Sequence, residues 1–390
     1  MSASTNQVLD TNSPSEQIIP ESGPIISHET FEEINMQSAA ALSQKYGENP
    51  QTTTWIGKAP LLQEIDYPFD HKKFEYPPDF ANKFNKSPNQ AISEIRSTMR
   101  QLNEESNLGP FLMYCPNIYP KSLTQYVFSD PSNAHSILYY YFGAVNLEFL
   151  TIPEAARILL SRIAFPNNQQ HLSTLFNTFA SVYSEANPYL PLSRKEIAQV
   201  TVACIAFSIF YRKTEVLPLG EFLSFVKTVK VGDAYKEKIY YQLKENPIPI
   251  FFEFSVSLEE PNYNKSGLLK KESGGVFKAK SKRFYIIDHF SLKYFKDESK
   301  SELIGEIELD GSNTSFVPAS KKEPPHMIIK KINGGSIGFT FTKDLQKRRS
   351  KETEHVIYEN DEDTLLSWTC ALNYVSFWSI LDKLTINSRR

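Results

Sequence analysis

The sequence is poor in cysteine. Its three cysteines, Cys115, Cys204 and Cys370, lie far apart in apolar surroundings and form no C-x-x-C pair. Neither a disulfide framework nor a zinc site is expected, which indicates a reducing compartment. The sequence also lacks an apolar run that could span a bilayer, since residues 200–211 reach only about half the required length. The N-terminus has no basic region followed by an apolar core, so no secretory signal is predicted.

The chain has no excess of positive charge, with 42 Lys+Arg against 45 Asp+Glu and a formal net charge of -3. This balance argues against a nucleic-acid binder that relies on bulk charge. No Gly-rich phosphate loop follows a strand, no G-x-S-x-G motif occurs, and the seven histidines are scattered. A conventional enzyme is therefore not expected, and neither a cofactor nor a metal is predicted.

The first 80 residues contain few large apolar residues. Residues 1–50 are rich in Ser, Thr, Asn, Pro and Glu, a composition that buries too little surface to offset ordering entropy. The stretch 51–80 is rich in proline and aromatic residues, which favours an extended chain. We predict a disordered or extended segment over 1–80, without a coiled coil because apolar heptads are missing.

The middle of the chain has helical periodicity. Apolar residues recur at helical spacing, as in Ile137, Tyr141 and Val145, and proline-containing breaks such as Ser129-Asp-Pro separate the segments. We predict an all-α domain over 81–248, an orthogonal bundle or solenoid, followed by a linker over 249–263.

The last third changes to period two, which is typical of strands. The predicted strands are Ser266–Lys271, Lys282–Ile287, Ser291–Phe295, Ile304–Leu309, Met327–Ile332, Ser336–Thr342 and His355–Tyr358. A last helix, Asp363–Leu381, has an aromatic-rich apolar face that suits the closure of an open barrel. We therefore predict a seven-stranded β-barrel capped by a C-terminal helix over 264–381, with a tail over 382–390.

Seven strands closed by a helix with a central Trp368 resemble a pleckstrin-homology domain. The hairpin Gly267-Leu-Leu-Lys-Lys-Glu-Ser-Gly-Gly-Val-Phe-Lys is similar to the first hairpin of the cytohesins. Between residues 265 and 300, ten Lys/Arg face four Asp/Glu, and a cluster of cations suits an inositol phosphate. The resemblance implies that phosphoinositide is bound by Lys271, Lys278, Arg283, Tyr294, Lys343 and His355. Val276, Ile304 and Glu354 depart from the family's polar residues, which predicts weaker or broader headgroup binding.

The helical region resembles the Sec-seven domain of the same exchange factors, over about residues 83–247. The resemblance rests on the spacing of Phe165-Pro-Asn-Asn-Gln-Gln, Phe179-Ala-Ser-Val-Tyr and Asn187-Pro, and on the order of the two domains. It implies action on an Arf-family GTPase, whose nucleotide a glutamate on this loop expels by charge repulsion. Here the catalytic position is Asn168, preceded by Asn167 where the family has glycine, and no acid occurs between Glu154 and Glu185.

The family's second motif falls on the stretch Ile205-Ala-Phe-Ser-Ile-Phe-Tyr-Arg-Lys, with Ser208 in place of an asparagine. The resemblance implies a GTPase groove lined by Ile205, Phe207, Ser208 and Tyr211. The alternative interpretation is a buried helix, which is more typical of such an apolar stretch. For Asn168 the alternative is ordinary turn chemistry.

Two functions follow from the resemblance. The first is an Arf-family GTPase regulator of the exchange-factor family, cytoplasmic and peripheral to a phosphoinositide membrane, with doubtful exchange because Asn168 carries no charge. The second is an inactive pseudo-exchange scaffold that binds a GTPase or another protein. Neither requires nucleic acid or a transmembrane segment.

Overall fold

A computed structural model of the chain describes residues 74–210, 217–254, 265–272, 280–321, 323–342 and 346–387. All of these residues belong to a single structural unit. Within it, a helical region precedes a sheet and a long C-terminal helix. The helices of the first region are α1 (Phe80–Lys86), α2 (Pro88–Thr98), α3 (Glu105–Tyr114), α4 (Pro120–Ser129), α5 (Pro131–Gly143), α6 (Ile152–Leu160), α7 (Gln169–Ala186), α8 (Arg194–Phe210), α9 (Leu219–Phe225) and α10 (Asp233–Glu245), with a 3-10 turn at Arg100–Asn103.

Proline and capping residues set several helix starts. Asp130 precedes Pro131 and accepts a hydrogen bond from the backbone of Ser132, which caps α5. Thr151 and Glu154 form a capping box at α6, in which the carboxylate accepts the Thr151 backbone N–H at 2.7 Å. These residues begin each helix where the sequence breaks predict it.

The helical region is built around α8, whose described side chains from Ala203 to Ile209 are all buried. A helix that is apolar on all sides belongs in the centre of a bundle. The packing between α3 and α5 is closest at Gly109, where an added Cβ would lie 2.6 Å from the Tyr140 and Tyr141 backbone. The helical prediction is therefore confirmed, with α8 as the central helix.

Two very short strands join the end of the helical region to an earlier loop. β1 (Ala164–Phe165) pairs in parallel with β2 (Phe251–Phe252). β2 lies within the stretch predicted as a linker, and Phe252 is buried in the helical core. This strand pairing therefore holds the chain that leaves the helical region against the loop before α7.

The described part of the C-terminal region contains a nine-stranded antiparallel sheet in the order β10-β9-β6-β5-β4-β3-β11-β8-β7. Its strands are β3 (Ser266–Glu272), β4 (Lys280–Asp288), β5 (Ser291–Phe295), β6 (Leu303–Glu308), β7 (Ser312–Val317), β8 (His326–Lys331), β9 (Gly338–Phe341), β10 (Lys347–Arg349) and β11 (Glu354–Tyr358). Seven correspond to the predicted strands. β7 and β10 were not predicted because neither alternates apolar and polar residues, so the sheet has two strands more than the sequence suggested.

The C-terminal helix, α11 (Glu362–Asn387), is longer than predicted and belongs to two cores. Its first half, with Trp368 and Leu372, packs into the sheet, as the prediction of a capping helix requires. Its second half, with Phe377 and Leu381, packs into the helical core. The helix therefore joins the two regions. None of the helices in the described ranges is both long and apolar enough to cross a membrane.

Candidate functional site

The loop that corresponds to the predicted catalytic position connects β1 to α7. The side-chain oxygen of Asn168 accepts hydrogen bonds from the backbone N–H groups of Gln170 at 2.9 Å and His171 at 3.1 Å. The first N–H groups of a helix have no partner within the helix, and asparagine is among the best residues to supply one. Asn168 is therefore the N-cap of α7.

The neighbouring Asn167 points away from α7 and contacts the sheet region. It is buried, with 7 % of its surface exposed, and its amide donates to the Ser312 carbonyl at 2.8 Å and to the Ser376 hydroxyl at 3.2 Å. A glycine at this position could form neither hydrogen bond. Asn167 therefore attaches the loop to β7 and α11.

Aromatic rings support the same contact. Phe377 of α11 is fully buried, and its ring centroid lies 5.0 Å from that of Phe252 and 6.3 Å from that of Phe165. The ring of Phe254 completes the cluster at 5.7 Å from Phe377. Such aromatic contacts add to the free energy of burial. In this conformation α11 covers one side of the loop.

The other side of the loop faces a cleft of about 700 Å³ between α7 and the turns of the sheet. Asn168, Ser173 and Asn177 line one wall, and Asp310 and Lys331 lie in the lining as well. Asp310 accepts a hydrogen bond from Ser379 at 3.0 Å and pairs with Lys383. Ile332 and Ile380 belong to the lining too, so the cleft combines polar and apolar side chains, and its carboxylate at Asp310 is already compensated.

One acid that is distant from the loop in the sequence, Glu253, lies next to it in the fold. Glu253 follows β2 directly, and its backbone N–H donates to the Phe165 carbonyl at 3.1 Å. Burial raises the pKa of the Glu253 carboxyl, and Lys121 lowers it in part. A carboxyl with a raised pKa is a weaker source of negative charge than an exposed glutamate.

The predicted groove residues lie in the core of the helical region. Ile205 and Phe207 are fully buried, and Phe207 packs against Tyr240 with ring centroids 5.4 Å apart. The Ser208 hydroxyl donates to the Cys204 carbonyl and accepts the backbone N–H of Ile248, both at 2.9 Å. These three side chains line no open groove in this conformation, because α8 is central and covered on every side. Tyr211 lies outside the described residues.

Three predicted lipid ligands meet around a residue that the sequence did not single out, Glu352. The Lys271 ammonium lies 2.9 Å from the Glu352 carboxylate and 3.3 Å from the Tyr294 hydroxyl. His355 is buried and contacts Glu352 through Nδ1 at 3.3 Å, while its Nε2 lies 3.0 Å from the Tyr285 hydroxyl. The sheet therefore brings Lys271, Tyr294 and His355 together, with their charge compensated by an acid.

The protonation of this cluster follows from its burial. Burial lowers the pKa of His355 to about 4 despite the hydrogen bond to Glu352. Burial alone would raise the pKa of Glu352, but the hydrogen bonds from His355 and Lys271 lower it to about 2. At neutral pH, His355 is neutral and Glu352 is ionised, so Lys271 supplies the positive charge of the cluster.

Burial raises the pKa of the Tyr294 hydroxyl, and the charges of Lys271 and Arg283 lower it in part, so Arg283 lies close to this cluster. Arg283 is half-buried on β4, and its guanidinium donates to the neighbouring Lys282 carbonyl at 2.9 Å. Lys278 and Lys343 lie outside the described residues. Within the described ranges, no group of three or more His, Cys, Asp or Glu side chains could hold a metal ion.

Polar residues on α11 form a ladder that the sequence analysis missed. Asn373 accepts the Thr314 backbone N–H at 2.8 Å and donates to the Thr314 carbonyl at 2.9 Å, so it satisfies the outer edge of β7. Ser376 donates to the Ser312 carbonyl at 2.7 Å. The sequence could have indicated these contacts, because the polar residues Asn373, Ser376 and Ser379 are spaced by three residues on an otherwise apolar helix.

Comparison with known proteins assigns the helical region. Residues 77–248 match the sequence family described as Sec7 domain. A curated relative from Dictyostelium discoideum, "Ankyrin repeat, PH and SEC7 domain containing protein secG", is 23% identical over 253 residues, which are 61% of this chain and 25% of that protein. The chain thus spans about a quarter of that relative.

Two solved structures resemble parts of the chain. The Sec7p catalytic domain matches with a TM-score of 0.41 and 14% identity, over 45% of this chain and 100% of that one. The ORP8 PH domain matches with a TM-score of 0.25 and 16% identity, over 29% of this chain and 93% of that one. The match to the sequence family confirms the predicted Sec-seven resemblance: residues 77–248 of this chain are a Sec7 domain.

Proposed function

We propose that this chain regulates an Arf-family GTPase at a phosphoinositide membrane, as a member of the exchange-factor family, and that its own nucleotide exchange is slow. The Sec7 match over residues 77–248 is the observation that carries the proposal. The composition of the loop and its contacts support the second part.

Charge is the first reason to expect slow exchange. Two like charges about 4 Å apart repel by about 4 kcal/mol at an effective dielectric constant near 20. A loss of that size corresponds to roughly three decades in a rate constant. Asn168 has no charge to contribute, and its side-chain oxygen is engaged with the Gln170 and His171 backbone.

Access is the second reason. Asn167 is hydrogen-bonded to Ser312 and Ser376, and Phe377 packs over the base of the loop. A GTPase that contacts the side of the loop formed by Phe165 and Asn167 would first have to displace α11. The same two asparagines support the second candidate, a scaffold that binds a GTPase or another protein without releasing its nucleotide.

Recruitment to the membrane is proposed to depend on the cations of the β3–β4 hairpin. A phosphate would compete with Glu352 for the Lys271 ammonium, because both are anions within reach of one cation. Headgroup binding should therefore be moderate, in keeping with the missing cations at Val276 and Ile304.

Two binding measurements test the proposal with the full chain. The first is equilibrium binding to GDP-loaded Arf-family GTPases, for which we expect binding without a matching rise in nucleotide release. The second is co-sedimentation with vesicles with and without phosphoinositide. The double variant Lys271→Gln with Arg283→Gln should bind such vesicles several-fold more weakly, whereas Lys238→Gln, an exposed lysine on α10, should bind like the natural chain. Equal binding by all three would contradict the lipid assignment, and failure to bind any Arf-family GTPase would contradict the regulatory one.

A further inference from the structure

An exposed pair of aromatic rings lies on the helical region, at a place that the proposed function does not use. Phe149, in the loop between α5 and α6, is 76 % exposed, and Tyr189, just after α7, is 54 % exposed. Their rings stack with centroids 5.6 Å apart and an interplanar angle of 24°. We call these two residues the aromatic pair. Because α7 rises about 27 Å from Gln169 to Ala186, the aromatic pair lies at the opposite end of this helix from Asn168.

The backbone of Phe149 has an unusual conformation for a residue with a large side chain. Its φ is 63°, in the left-handed region, where Cβ crowds the following carbonyl oxygen. Asparagine and glycine adopt this region more readily. The phenylalanine ring also gains little from burial, since most of the residue is exposed. Neither backbone preference nor core packing therefore accounts for a phenylalanine at this position, and such outliers are typical of functional surfaces.

Hydrogen bonds hold the aromatic pair in place. The Phe149 backbone N–H donates to Asn187 Oδ1 at 2.9 Å and to the Tyr189 hydroxyl at 3.0 Å, and this hydroxyl donates to Asn187 Oδ1 at 2.6 Å. Asn187 itself is only 2 % exposed, and its amide donates to the carbonyls of Leu147 at 2.9 Å and Tyr183 at 3.1 Å. The two rings are therefore fixed before any partner arrives, which lowers the entropic cost of binding.

The charge beside the aromatic pair favours a cation. Glu148 precedes Phe149, is exposed, and forms no ion pair within the part of the chain that the structure describes. Asn187 is the C-cap of α7, and the C-terminal end of a helix carries partial negative charge. Glu185, in the last turn of α7, pairs with Arg194 at 3.0 Å, so this pair adds no net charge. The surface thus combines open aromatic faces with an uncompensated carboxylate.

We propose that the aromatic pair and Glu148 bind an arginine side chain in a basic segment of a partner protein. A planar guanidinium can stack on an aromatic face and donate to a carboxylate at the same time, which the compact ammonium of lysine does less well. A second copy of the chain is a poorer occupant, since a symmetric contact would place the Glu148 carboxylates of the two copies near each other. An anionic membrane is a poorer occupant too, because it would repel the same carboxylate.

Fluorescence anisotropy of a labelled peptide tests the proposal with the full chain. The probe is a short fluorescein-labelled peptide of alternating arginine and glycine, measured at physiological salt. Two further peptides replace its arginines by lysine or by citrulline, the uncharged analogue of arginine. We expect the arginine peptide to bind several-fold more tightly than the lysine peptide, and the citrulline peptide to bind least. Absence of binding by the arginine peptide, or equal binding by either of the other two, would overturn the proposal.

Matched variants locate the binding. Glu148→Gln and Phe149→Asn should each weaken binding of the arginine peptide several-fold. Glu298→Gln removes an exposed acid of the sheet region, and Phe290→Ala removes a ring of that region that is 41 % exposed, so both should bind like the natural chain. Equal weakening by the site variants and these controls would show a response to overall charge or apolarity, which would overturn the proposal.

The stability of Phe149→Asn separates a binding role from a structural one. Asparagine keeps the backbone N–H that donates to Asn187 and tolerates the left-handed conformation, so the melting temperature should stay the same or rise while binding falls. A lower melting temperature would show that Phe149 stabilises the fold and would overturn the inference.

Other occupants of the aromatic pair give different signals. Self-association of the natural chain that disappears in Phe149→Asn, measured by sedimentation, would assign the aromatic pair to a second copy and overturn the proposal. Loss of anionic-vesicle binding in the same variant, with binding of the arginine peptide unchanged, would assign it to the membrane surface and would also overturn it.

Discussion

The substitution Phe377→Ala should release the loop before α7 from α11 without removing α11 from the sheet. Phe377 is fully buried and its ring packs against Phe165, Phe252 and Phe254. Truncation of a buried phenylalanine to alanine costs about 3 to 5 kcal/mol. The first half of α11 is held in the sheet by residues such as Leu372, so the loss should fall on the contact between the two regions.

Hydrogen exchange of the backbone amides measures this loss locally. If loop opening becomes easier by about 3 to 5 kcal/mol, amide protection over residues 164–172 and 251–254 should fall by roughly two to four decades. The matched control is Leu372→Ala, which also creates a cavity at a fully buried residue, but within the sheet core. It should lower protection in the sheet strands and change the loop little.

Two results would show that the Phe377 contact does not hold the loop in this way. If Phe377→Ala left the protection of the loop unchanged, α11 would not be what holds it. If Leu372→Ala loosened the loop as much as Phe377→Ala, the two regions would open as a single cooperative unit, and the contact would have no separate role.

Three further predictions concern stability. Asn168→Ala should lower the free energy of unfolding by about 1 kcal/mol through loss of the N-cap, whereas Asn168→Asp should keep the cap and its stability. Chemical denaturation at neutral pH distinguishes the two variants, and an equal loss of stability in both would refute the capping role of Asn168. Burial lowers the pKa of His355 to about 4, below its usual 6.5, so the unfolded chain takes up a proton before the folded chain does. The free energy of unfolding should therefore fall by about 1 kcal/mol per pH unit as the pH drops from 6.5 towards 4. A His355→Asn variant should lose this pH dependence, and an unchanged dependence would contradict the assignment to His355. Gly305→Ala should lower the free energy of unfolding by about 1 to 3 kcal/mol, because the added Cβ would lie 2.3 Å from the Tyr294 ring. Gly220→Ala, which has open space around it, should not. Similar melting temperatures for the two variants would argue against the close contact.

Much of the fold could be predicted from local patterns. The breaks before Pro131 and at Ile152 set helix starts, and period-two alternation located β3, β4 and β5. β7 was not predicted, because its sequence, Ser312-Asn-Thr-Ser-Phe-Val, does not alternate apolar and polar residues. Asn373 satisfies the outer edge of β7 with side-chain hydrogen bonds, a long-range contact that no local pattern contains.

The candidate site could be predicted in position but not in environment. The sequence identified Asn168 and the absence of a nearby acid along the chain. It could not indicate that Asn167 bonds to Ser312, or that Glu253 lies beside Phe165, because these pairs are distant in sequence. The burial of Phe207 follows from the central position of α8, which emerges only from the packing of the whole bundle.

Fluorescent GDP release from Arf-family GTPases on phosphoinositide vesicles measures whether the loop before α7 lacks the charge and the accessibility that nucleotide release requires. The natural chain, Asn168→Glu, Phe377→Ala and the double variant should be compared at equal protein concentration. We expect slow release for the natural chain and for Phe377→Ala, a limited rise for Asn168→Glu, and an increase that approaches roughly three decades for the double variant. Fast release by the natural chain would contradict this expectation.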